Sequence, residues 1–278
     1  MRKLALVFSI VALSTFDAFA ADMAVKAPPL PVAQAYNWTG FYIGGTVGAV
    51  WGNANQSYSQ TAGAPFSAVQ MVPVNFGTTV SARFVGGVHA GYNWQVAPTW
   101  VIGVEGDFSG YAGGDHNSGL VHAVGNDGIP LPIAPGNNIQ MSYGEQWSGS
   151  IRGRAGYAMN NWLLYATGGV AFADINYSGG VVSTARVGSI QTGVPSKVET
   201  GWVAGAGVEW APMQSNWVVR AEYLYYGFPS RTLVAPCSAC TPGAFDGPGV
   251  FTWSHNDYQT VRVGLSYKFG AAAIVAKY

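Results

Sequence analysis

Cys237 and Cys240 are the only cysteines in the 278-residue chain, and as a C-x-x-C pair they could bond to each other, exchange electrons or hold a metal. A metal would need further ligands, and His255 is the only histidine in the same stretch between strands. In an oxidising compartment a small loop disulfide is the favoured reading. The other histidines, His89, His116 and His122, could ligate iron or titrate near neutrality. No G-x-S-x-G elbow is present, and neighbours such as Asp115–His116 and His255–Asp257 are too common to define a triad without geometry. No enzyme, resident cofactor or metal site is expected.

The charged residues carry a stronger pattern. Only 9% of the chain is charged, 14% is aromatic, 38 residues are glycine and the formal net charge is zero. That balance argues against a nucleic-acid partner, which would favour a basic patch. Side chains alternate across a strand, so period two sorts them onto two faces. Eight segments show the pattern: Trp38 to Trp51, Ser81 to Gln95, Trp100 to Gly110, Gln146 to Met159, Trp162 to Ala173, Val198 to Trp210, Trp217 to Tyr226 and Val261 to Phe269. In the third, Trp100, Ile102, Val104 and Phe108 oppose Glu105 and Asp107; in the seventh, Val219, Ala221, Tyr223 and Tyr225 oppose Arg220 and Glu222.

Within these segments every charge lies opposite the apolar face, while Glu145 and Asp174 fall just outside them, at the expected rims. The charged face collects Arg83, Arg152, Arg154, Arg220, Arg262 and Lys268 with Glu105, Asp107, Glu199, Glu209 and Glu222. Arg or Lys facing lipid at mid-bilayer costs about 2–4 kcal/mol, which would produce this sorting. The expected fold is therefore an all-β, eight-stranded antiparallel transmembrane barrel. Its lumen, narrow enough for side chains to fill, should be packed with an ion-pair network drawn from the ten of those residues other than Lys268. Numerous inward glycines could leave small water-filled spaces. A soluble lipocalin-like barrel would reverse the two faces, and the scarcity of charge argues against it.

Connections support the same reading. Val96 to Thr99, Asn160–Asn161 and Ala211 to Asn216 are short, whereas Gly52 to Val80, Tyr111 to Glu145, Asp174 to Lys197 and Gly227 to Thr260 are long. Short periplasmic turns alternating with four long extracellular loops characterise outer-membrane barrels. Trp94 and Trp100, Tyr157 and Trp162, and Trp210 and Trp217 flank the short turns as an interfacial girdle. At the N-terminus, Arg2, Lys3, an apolar run from Leu4 to Leu13 and Ala18-Phe19-Ala20 form a secretory signal over residues 1–20. Residues 21–37, with Pro28, Pro29 and Pro31, read as a flexible periplasmic lead-in; 38–269 form the barrel and 270–278 a C-terminal tail. No downstream apolar run approaches the ~20 residues of a membrane helix.

Trp38-Thr39-Gly40-Phe41-Tyr42-Ile43-Gly44-Gly45 resembles the first strand of the small outer-membrane proteins of alphaproteobacteria, immunogenic surface barrels related to the OmpA transmembrane domain. Gly103-Val104-Glu105-Gly106-Asp107-Phe108, Thr200-Gly201-Trp202 with Gly205 to Glu209, and Val261 to Phe269 extend the resemblance across almost the whole mature chain. It implies an outer-membrane, surface-exposed barrel without implying one shared activity. The last strand is similar to the assembly signal read by the barrel insertion machinery, through Arg262, Gly264, Tyr267 and Phe269, although Gly270 to Tyr278 follow it here. Relatives associated with haemin binding make His116, His122 and His255 candidate haemin contacts. The resulting expectation is a structural envelope barrel, with lipid, the assembly machinery and host surface molecules as partners; a narrow porin-like or haemin-uptake barrel is the alternative.

Overall fold

Alternation of large apolar with small or polar residues specifies strands with two unlike faces, and burying the polar face without leaving an open edge requires closing the sheet on itself. The computed structural model describes residues 36–60, 74–113, 116–118, 138–183, 188–212, 215–236 and 248–270. The strands are β1 (Gly40–Gln60), β2 (Val74–Gln95), β3 (Trp100–Tyr111), β4 (His116–Ser118), β5 (Asn138–Met159), β6 (Trp162–Ser183), β7 (Gly188–Trp210), β8 (Trp217–Phe228), β9 (Arg231–Ala235) and β10 (Gly249–Phe269). Eight of them pair antiparallel in the order β1-β2-β3-β5-β6-β7-β8-β10, and β10 returns to β1 to close the barrel. The short β4 and β9 add to β5 and β10 at the far end.

Burial follows the alternation. Along β8, Trp217, Val219, Ala221 and Tyr223 are exposed, while Val218, Arg220, Glu222 and Leu224 are buried. The short turns lie where the sequence places them. Asn160, with φ of 54°, turns the two-residue hairpin between β5 and β6, a conformation that Asn tolerates. Around this end the outward rings pair across strands, Trp100 with Tyr157 at 5.6 Å, Trp162 with Trp210 at 6.1 Å and Trp217 with Tyr267 at 5.1 Å.

The far end differs from expectation. Most of what reads as long loop continues the barrel wall: β1 runs to Gln60, β5 starts at Asn138, β6 runs to Ser183, β7 starts at Gly188 and β10 at Gly249. An outward face that meets water needs no apolar residues, so alternation of hydrophobicity fades while backbone pairing goes on. Bulges then shift the phase. Opposite β6, β5 carries an extra residue between Glu145 and Trp147, and opposite β1, β10 carries one between Ser254 and Asp257. A one-residue slip exchanges the faces of a strand. Arg152 and Arg154 point inward below the β5 bulge, and Tyr143 and Met141 are buried above it. In β10 the buried set passes from Arg262 and Tyr258 to Trp253 and Phe251. Glu145, expected at a rim, is likewise buried.

Val263 is 53% exposed and flanked by Val47 and Ala221 in the apolar outer wall. Replacing it with Arg should destabilise the barrel refolded in lipid vesicles by about 2–4 kcal/mol in a urea titration, and a loss below about 1 kcal/mol would mean that this wall faces water.

Candidate functional site

Alternation within each strand sets the charged lumen. Glu105 and Asp107 share the inner face of β3, Arg152 and Arg154 that of β5, and Arg220 and Glu222 that of β8; Glu209 comes from β7 and Arg262 from β10. Register then places opposite charges side by side. Glu105 stands opposite Arg152, Glu209 opposite Arg220, and Glu222 opposite Arg262. Such directly opposed pairs support a sheet pairing.

Contacts across the lumen join these pairs into one network. Arg152 reaches Glu105 at 2.5 Å, Glu222 at 2.9 Å and Asp107 at 3.2 Å. Arg262 meets the same Glu222 at 2.7 Å and Asp107 at 3.2 Å, so Arg152, Glu222, Arg262 and Asp107 form a closed ring. A second ring joins Arg220, 2.6 Å from both Glu105 and Glu209, to Arg154, which lies 2.9 Å from Glu209 and 3.5 Å from Glu105. The Arg152–Glu105 pair links the rings. Four guanidiniums thus balance four carboxylates (Glu105, Asp107, Glu209 and Glu222), with every side chain at most 4% exposed.

Tyrosines fill the space beside the ions. Tyr42 donates its hydroxyl hydrogen to Glu105 Oε2 at 2.7 Å and accepts from Arg154 Nη1 at 2.9 Å. Tyr165 donates to Glu222 Oε1 at 3.0 Å, and the Arg154 guanidinium sits 3.9 Å from the centre of its ring. A Cβ at Gly91 would strike the Tyr42 hydroxyl, and one at Gly207 the Tyr165 hydroxyl. At these two positions the space beside the glycine is filled by rings. His89 is buried, with Nε2 2.8 Å from Ser266 Oγ.

The ten residues expected in one network therefore divide. Eight form the two rings. Arg83 instead pairs with Glu145, nearer the far end, and Glu199 faces Arg231 at 3.8 Å. Neither Glu145 nor Arg231 is identifiable as a partner from strand phase, because a bulge follows the first and the second lies in an apparent loop. Lys268 is buried and donates to the backbone oxygens of Asn37 and Thr39.

A second layer, absent from the sequence reading, caps the ions. Tyr226 stacks on Tyr258 at 4.5 Å, Tyr58 lies 4.9 Å from Phe251, and Tyr177 lies 5.3 Å from Trp253, all in one buried cluster. Of the candidate assembly residues, Arg262 points into the network, Gly264 lies beside Arg220, and Tyr267 and Phe269 meet on the other face at 5.0 Å. Cys237, Cys240 and His122 lie outside the described residues, as do the side chains of His116 and His255. Among the described residues no group of three or more His, Cys, Asp or Glu is placed to hold a metal.

A closed antiparallel barrel with an apolar outer wall, an aromatic girdle and an ionised interior defines the class of Gram-negative outer-membrane barrels. The chain belongs to the outer membrane protein beta-barrel domain family, whose model matches residues 10–269. It is similar to the 31 kDa outer-membrane immunogenic protein of Brucella melitensis, 33% identical over 96% of this chain and 100% of that protein. It also resembles the 22 kDa outer membrane protein of Rhizobium leguminosarum bv. viciae, 32% identical over 87% of this chain and 83% of the relative. Among solved structures, OprG from Pseudomonas aeruginosa aligns over 85% of this chain and 99% of that one, with 11% identity and a TM-score of 0.43. In this class the short turns are periplasmic and the far end is extracellular.

Removing one partner of a buried ion pair strands the other charge, at a cost of about 3–5 kcal/mol. Arg220→Met, which removes the nearest guanidinium from one oxygen each of Glu105 and Glu209, should lower stability in lipid vesicles by about that amount, and adding Glu209→Gln should recover part of it. A neutral single variant in urea unfolding would show that the network does not brace the wall.

Proposed function

We propose that the chain is a sealed structural barrel of the outer membrane, contributing to envelope integrity and presenting its extracellular end to host or environmental surfaces. The observation that carries this reading is the cross-lumen ion network. Arg152 and Arg220 span from one wall to the other, and each carboxylate of the rings serves at least two guanidiniums. Hydrated ions gain no favourable path through charges already neutralised by one another and covered by an aromatic layer. A rigid, internally braced wall also suits a scaffold for surface contacts, since recognition concentrates in the segments that such scaffolds hold up.

The protein acts without catalysis in this reading, and its partners are outer-membrane lipid, the barrel assembly machinery and surface molecules of a host. The aromatic pair Tyr267 and Phe269, displayed on the outside of the last strand, is consistent with an assembly signal. No observation favours haemin uptake, which rests on His116, His122 and His255 alone.

A deletion strain should lose detergent resistance or surface adhesion and regain it with the wild-type gene. Unchanged permeability, detergent resistance and adhesion would refute the proposed role.

A further inference from the structure

The residues just before β1 do not simply leave the barrel. Tyr36–Thr39 crosses its periplasmic mouth, where Trp38 is only 1% exposed and packs in a cluster with Val101, Leu163, Ala211 and Val218. Tyr36 meets the Trp38 ring edge-on at 4.8 Å. Burial, with the Glu209 carboxylate second, pushes the Tyr36 phenol up to about 12, so this segment carries no side-chain charge at neutral pH.

Two neighbouring strands hold the segment in place. From β2, Gln95 accepts the Trp38 backbone N–H through Oε1 at 3.0 Å and donates its own N–H to Thr39 Oγ1 at 2.9 Å. From β10, Lys268 Nζ donates to the carbonyl oxygens of Asn37 at 2.5 Å and Thr39 at 3.3 Å, and it lies 4.8 Å from the centre of the Tyr36 ring. Among the described residues Lys268 has no carboxylate partner, so its charge is spent on this segment. At Gly40, where the segment turns into β1, φ is 144° and a Cβ would lie 2.5 Å from Phe269 O, which only glycine accommodates comfortably. Behind Trp38 lies a small cavity bordered by Asn93, Glu209, Ser266 and Lys268. Trp38 Nε1 and Asn93 Oδ1 are buried there without a hydrogen-bond partner among the described residues.

We propose that Tyr36–Thr39 is a stopper, turned by Gly40 and clasped by Gln95 and Lys268, that closes the periplasmic mouth and shuts the chamber beneath the ion network. Gln95 and Lys268 belong to the two strands flanking β1, so the full clasp forms only once β10 has paired with β1. The stopper therefore also locks the seam that closes the barrel. It rests on the sealed-barrel reading but forms a separate barrier.

Thiol labelling tests it. In full-length protein with Cys237 and Cys240 changed to Ser, Asn93→Cys places a single thiol in the chamber. After refolding into lipid nanodiscs, a small charged methanethiosulfonate reagent should modify that thiol slowly. Trp38→Ala or Lys268→Gln should accelerate labelling by about tenfold or more through local opening, whereas Trp38→Phe should preserve protection. Strand circular dichroism and unfolding midpoints identify the closed barrels to be compared. Equal labelling rates with and without Trp38, in closed barrels, would overturn the stopper. Release of a trapped small solute from vesicles containing the wild-type protein would instead overturn the sealed lumen, leaving the labelling comparison to judge the stopper by itself.

Discussion

Charge inside a narrow wall is the constraint from which the rest of this barrel follows. Eight strands enclose a space that side chains can fill, and a guanidinium placed there loses most of its water. Lipid on the outside forbids it from turning outward. Each inward Arg therefore needs carboxylates within reach, and each carboxylate needs more than one donor. The two rings joined at Arg152 and Glu105 meet both needs at once, with Tyr42 and Tyr165 satisfying remaining oxygen positions. A network of this kind constrains register, because sliding any of β3, β5, β7, β8 or β10 by one residue would aim its charges at lipid.

Part of this arrangement was legible in the sequence. Strand phase identifies which face carries Glu105, Arg152, Arg220 and Glu222, and short turns fix the register of their hairpins, which makes pairs such as Glu209–Arg220 accessible to reasoning. Which residues meet across the lumen depends on barrel stagger, and stagger leaves no local mark. Arg220 reaching Glu105 is such a contact. The aromatic layer escaped for a different reason. Bulges exchange the faces of β5 and β10 just where the outer wall stops needing apolar residues, so Tyr143, Phe251 and Trp253 sit in stretches that read as loops. Arg83 and Glu199 share the charged face, but the residues they meet, Glu145 and Arg231, lie beyond the phased segments.

The lumen is layered along its length. Trp38 and its apolar neighbours close the periplasmic end, the ion rings occupy the middle, and stacked aromatics around Tyr258 lie toward the cell exterior. The proposed seal rests on apolar and aromatic packing at the two ends and on mutual neutralisation of charge between them. This redundancy would suit the proposed sealed barrel.

Single-channel recording of the refolded wild-type protein in a planar bilayer tests the sealed interior most directly. The ion network and its aromatic cover predict no reproducible conductance steps at moderate voltage. Steady steps whose size changes when Glu105 or Arg152 is neutralised would contradict that account, because they would show ions passing through the network that is held to close the barrel.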